Sequence, residues 1–114
     1  MEESILTSIK LMLGLTEEYT PFDQQILMCI NTAANALTQI GVGPIEGFTI
    51  RDKLTTWGDW IVSDVRLEAV KSAMYIRVRM LFDPPASATM TETLKAQLAE
   101  IEWRLKSTIE HPEV

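Results

Sequence analysis

Residues 65–82 and 88–108 carry apolar side chains at three- and four-residue spacing on either side of one abrupt break, Asp83-Pro84-Pro85. The break is local: the residue before a proline is driven out of the helical region, and neither proline can donate to a helical ladder. The spacing predicts two helices with a short connection, favouring an antiparallel arrangement. The second has the more regular seam, with Met90, Leu94, Leu98, Ile101, Leu105 and Ile109 stepping by 4, 4, 3, 4 and 4. The first carries two stripes, Leu67, Val70, Met74, Val78 and Leu81 on one side and Ala69, Ala73, Ile76 and Met80 on the other, so it requires burial on two sides. At about 100° per residue Trp103 projects away from the seam together with Ala96 and Ala99, leaving an apolar patch on a charged face.

The first half reads as two further helices. Ser4 can cap a short amphipathic helix containing Ile5, Leu6, Ile9, Met12 and Leu13, and Gly14 is a natural stop. Thr20-Pro21 signals the next start, because a proline at the first helical position loses no needed donor. That helix is expected to run to about residue 40, burying Phe22, Ile26, Ile30, Ala33 and Leu37, with Cys29 bordering the stripe and Gly41 ending it. Residues 41–56 read as an irregular loop in which Phe48-Thr49-Ile50 can add a very short extended piece. Trp57-Gly58-Asp59-Trp60 lies at its end, before Ser63 or Asp64 caps the third helix; Ser87 caps the fourth. The expected architecture is all-α: a single-domain bundle of four helices over residues 1–114 with one long irregular loop and a flexible tail at 110–114.

Composition narrows the function. A chain of 114 residues buries roughly two-thirds of its unfolded surface, enough for one modest core. A net charge of -6 disfavours gripping nucleic-acid phosphates or an anionic membrane. The apolar stretches are interrupted well short of the ~20 residues a membrane-spanning helix needs. The acidic start Met1-Glu2-Glu3 does not resemble a secretory signal, and a single cysteine makes no internal disulfide. These features predict synthesis in a reducing cytoplasm.

Catalytic signals are weak. His111, the one histidine, falls in the tail, where nothing holds it in register for proton transfer. Cys29 lies within an apolar helix and reads as a small buried residue, not an activated thiol. Glu100 and Glu102, beside Arg104 and Lys106, read as solvated helix charge. Gly41, Gly43 and Gly47 lack the spacing of a phosphate-binding loop. No catalytic, cofactor-binding or metal-ligating residue is therefore assigned, and the chain is not expected to be an enzyme. The tryptophans fit two roles, core filler and interface anchor: Trp57 and Trp60 are expected in the core, pinning the loop, while Trp103 fits either. Of Arg77 and Arg79, which interrupt an apolar helix in alternating directions, at least one is expected to find a carboxylate within or across subunits.

Three segments together resemble the head–tail connector (adaptor) family of tailed bacteriophages, including its gp6-like members. They are Ile5 to Leu15 leading through Tyr19-Thr20-Pro21-Phe22-Asp23 into Ile30-Asn31; Leu37 to Pro44 followed by Trp57-Gly58-Asp59-Trp60-Ile61; and Val70 to Pro85 running on to Ile101-Glu102-Trp103-Arg104-Leu105. The third is the most specific. The resemblance implies a structural virion protein at the head–tail junction, a homo-oligomeric ring, typically dodecameric, beneath the portal protein. Such a ring extends the DNA channel without binding DNA specifically and offers a docking surface to a tail-completion or stopper protein. The interface candidates are Trp103, Ala96, Ala99, Ile76, Met80, Arg77 and Arg79; Ile45, Phe48, Ile50 and Val114 are candidates for contact with portal or neighbour through a loop and tail that order on contact. Acidity suits a conduit, since it avoids the phosphate contacts that make DNA stick.

Two other classes fit a small helical chain. A helical regulator using the second and third helices as a helix-turn-helix predicts a basic recognition face and a tight turn, whereas the chain is acidic and the connection long. A dimeric partner-binding protein of chaperone or inhibitor type predicts a dimer instead of a ring.

Overall fold

Ser4 opens the first helix, α1 (Ile5–Met12): its hydroxyl accepts from Thr7 N at 3.1 Å. Ile5, Leu6 and Ile9 are buried along one side of α1. Its end is a paired closure in which Gly14 N donates to Leu11 O and Leu15 N to Lys10 O, with Gly14 at φ +88°. The second helix, α2 (Asp23–Gln39), ends the same way: Gly41, at φ +104°, donates to Thr38 O, and Val42 N to Leu37 O. Val42 and Leu37 are both buried beside this turn. The start of α2 differs from the expectation. The helix begins at Asp23, after a turn at Pro21 and Phe22, and no side chain caps it.

The computed structural model of the protein describes residues 2–61 and 66–110. Ser63, Asp64, His111 and Val114, and the caps and tail assigned to them from sequence, lie outside the described residues.

Trp57 and Trp60 stand in a helical turn of their own, α3 (Trp57–Trp60), and not in the end of the loop. A reciprocal cap makes it: Thr56 Oγ1 accepts from Asp59 N at 3.2 Å, and Asp59 Oδ2 accepts from Thr56 N at 2.9 Å. The turn is tied to the chain's beginning by a single antiparallel bridge between Ser4 and Thr56, with Ile5 N donating to Thr55 O and Trp57 N to Glu3 O. No strand forms among the described residues. At Ile50, where an extended piece was expected, the Asn31 side chain takes the place of a neighbouring strand, donating to Ile50 O at 2.9 Å and accepting from Ile50 N at 2.7 Å.

The two long helices α4 (Leu67–Phe82) and α5 (Ala88–Glu110) follow. Ser87 Oγ accepts from Met90 N at the start of α5. α4 packs on α2 along one side and on α5 along the other. The two apolar stripes of α4 thus find most of their partners inside the subunit: Val70, Ala73, Met74, Ile76 and Val78 are all buried. The stripe ends early at Leu81, which is 56% exposed. The molecule measures 43 × 35 × 20 Å, so its short dimension is about two helix diameters.

Candidate functional site

Both tryptophans of α3 are core, as expected. Trp57 is fully buried, and its indole Nε1 donates to Ser8 Oγ at 3.1 Å. Trp60 stacks between Trp57 and Phe48, with ring centroids 6.2 and 6.1 Å away. The turn at Gly43 closes over this stack, where a Cβ would stand 2.3 Å from Trp60 Nε1; that N–H has no hydrogen-bond partner among the described residues. Ile50 is buried and Phe48 half-buried, so of the loop's candidate contact residues these two serve to fasten the loop. Its tip is different. Ile45, inside a turn closed by Gly47 N donating to Pro44 O, is 96% exposed, and Leu54 also faces solvent.

The arginines separate. Arg77 reaches across to α5 and forms a two-pronged pair with Glu102: Nε meets Oε2, and the terminal nitrogen meets Oε1 at 2.8 Å. Glu102 is therefore not a solvated helix charge; it is mostly buried in the seam, and its hydrogen bonds hold Arg77 above the ordinary arginine pKa. Arg79 instead donates to Tyr75 Oη at 3.2 Å within α4. Ile76 is buried and Met80 half-buried. Neither Ile76 nor the paired head of Arg77 lies free on the outside of the subunit.

Trp103 is the opposite case. It is 69% exposed, in line with exposed Ala96 and Ala99, while its neighbours Glu102 and Leu105 point inward. A large indole on a rigid helix with nothing over it is the most anomalous exposure here, since such rings are enriched where surfaces meet.

Two features gave no warning in the sequence. Lys10 is 2% exposed, its ammonium 2.9 Å from Glu17 O and 2.9 Å from Asp23 Oδ1. Together the Glu17 carbonyl and the Asp23 carboxylate hold the ammonium and fasten the segment between α1 and α2. The other is a groove of about 570 Å³ between the beginning of α2 and the end of α4, lined by Phe22, Gln25, Met28, Cys29, Leu81, Phe82 and Asp83. Cys29 is only half-buried there, and burial pushes its thiol pKa up, away from the reactive thiolate.

Among the described residues no cluster of three or more His, Cys, Asp or Glu is placed to hold a metal ion, and no helix is long and apolar enough to cross a membrane. What the site offers chemically is contact: exposed apolar side chains on fixed helices. Residues 5–112 match a family model described as phage connector protein. No curated protein and no solved structure gave a match.

Proposed function

Because the chain belongs to the phage connector protein family, a family of structural proteins, we propose that it assembles with copies of itself into a ring at the head–tail junction. The ring sits beneath the portal protein, extends the DNA channel and gives a tail-completion or stopper protein its docking surface. The observation that carries this reading is Trp103, 69% exposed and aligned with Ala96 and Ala99 on α5. A lone subunit gains nothing from that stripe, and a neighbour that covers it gains the whole indole face. The exposed Ile45 at the loop tip supports a contact with portal or neighbour, now confined to the tip because Phe48 and Ile50 are engaged. The charge of -6 supports a wall past which DNA moves.

The helix-turn-helix alternative loses its support: α2 and α4 are joined through a long pinned loop and α3, not a tight turn. The test is electron microscopy and light scattering of the purified chain, alone and mixed with its portal. Rings, alone or on the portal, are expected. A chain that stays monomeric at high concentration and ignores the portal refutes the assignment.

A further inference from the structure

The ring reading leaves open what covers Trp103. The geometry points to the α2–α4 groove of the next copy: Trp103 of one subunit seats among Phe22, Met28, Cys29 and Leu81 of its neighbour, with Lys106 reaching the neighbour's Asp83.

Several observations converge on this occupant. The groove is apolar and open, and two of the residues beside it, Met28 and Leu81, are 71% and 56% exposed with nothing over them. It is lined by the start of α2, the end of α4 and the residues that cap them, while Trp103 stands on α5, turned away from α4. With α4 between α2 and α5, a subunit presents the projecting indole on one flank and the groove at the seam of the other. It cannot fold the first into the second. Two different, mutually complementary patches on one chain define a head-to-tail contact, which generates a closed ring when the rotation per subunit closes. A two-fold dimer requires the same patch on both partners.

Charge agrees with the apolar fit. Lys106 is exposed one helical turn beyond Trp103, and Asp83 is exposed at the groove; neither makes an ion pair among the described residues. Docking the indole in the groove brings the ammonium and carboxylate within reach. Met28 adds an adaptable wall that moulds to a ring edge, which suits a socket for a large aromatic.

This inference rests on the ring reading, and the experiment separates their failures. Assembly of the full-length chain is measured by light scattering and electron microscopy for the wild type, W103A, D83K, K106D and the D83K/K106D double variant, with melting temperatures in parallel. Expected are a loss of association of about 30-fold or more for W103A, about tenfold for each charge reversal, and recovery to near wild type in the double variant, with melting of the isolated subunits unchanged. In addition, A99C, which keeps Trp103 and places a thiol one turn away on the same exposed face, treated with a short bismaleimide is expected to give a ladder of covalent oligomers through Cys29, and C29S/A99C none.

If the wild type forms rings but W103A assembles normally, the double reversal fails to rescue, or the ladder persists without Cys29, the pairing is overturned and the ring survives. If the wild type never assembles, both fall.

Discussion

α2 and α5 flank the same helix, yet they use it differently. α2 has 17 residues and buries Ile26, Leu27, Ile30, Ala33, Ala34 and Leu37, more than one apolar side chain per turn on average. α5 has 23 residues, and among its described side chains only Leu94 and Leu105 are buried, with Leu98, Ile101 and Ile109 partly covered. Its extra length is therefore not explained by the core. α2 belongs to the interior that α1, α3 and α4 share, whereas α5 is held along one seam and keeps its remaining face for something outside the subunit. The contrast shows how one small chain can be both a folded unit and an incomplete surface.

The contrast can be broken from the core outward. Trp57→Ala removes a fully buried ring and its bond to Ser8, and a loss of about 3–5 kcal/mol in denaturant unfolding is expected, with α1, α2 and α4 melting together. Leu105→Ala should cost about 2–3 kcal/mol by the same measure. If α5 is the separable layer, hydrogen exchange in α5 rises well before exchange in α2; equal acceleration of both erases the distinction. Glu102→Ala leaves Arg77 without its partner, and about 1–2 kcal/mol is expected because Arg77 recovers some hydration at the open side of the seam.

The smallest effect concerns the bridge to the chain's start. Lys71, which also lies over the Trp57 ring, hydrogen-bonds Glu3 at 2.8 Å and so lowers the Glu3 pKa. A lowered carboxylate pKa adds stability that is fully present above its ordinary value and is lost as the pH falls through the lowered one. Glu3→Gln should remove that acid-side dependence at a cost of about 0.5 kcal/mol or less near neutrality, because the carboxylate is exposed. A pH–stability curve of the variant that still parallels the wild type would assign the acid loss to other groups.

How much of this was legible depends on whether the deciding interaction is local. Gly14, Gly41 and Asp83-Pro84-Pro85 end helices through their own backbone constraints, and each expected end agrees with the structure. The Thr56 and Asp59 pair was equally local, a cap three residues apart, but Gly58 inside so short a turn disguised it as loop. Pro21 misled in the other direction: its fixed φ permits a helix start without compelling one, and the helix waits for Asp23. Longer-range partnerships were beyond reach. Periodicity placed Glu102 beside Trp103 on α5, but nothing near it announces Arg77, 25 residues away. Lys10 is buried by a carbonyl and a carboxylate from a segment whose path no pattern specifies. For the surface, helical phase singled out Trp103, Ala96 and Ala99, while the groove, made between the start of α2 and the end of α4, has no signature along the chain.

The Arg77–Glu102 clamp stands between Leu94 and Leu105 on the seam that fastens α5 to α4. A pull along the axis of α5 meets these fastenings together, in shear, so none yields until all are strained. A pull at right angles opens them one after another, in peel, from whichever end is lifted. The protein is thus mechanically anisotropic: stiff against axial tension on its outermost helix and compliant against lateral prying.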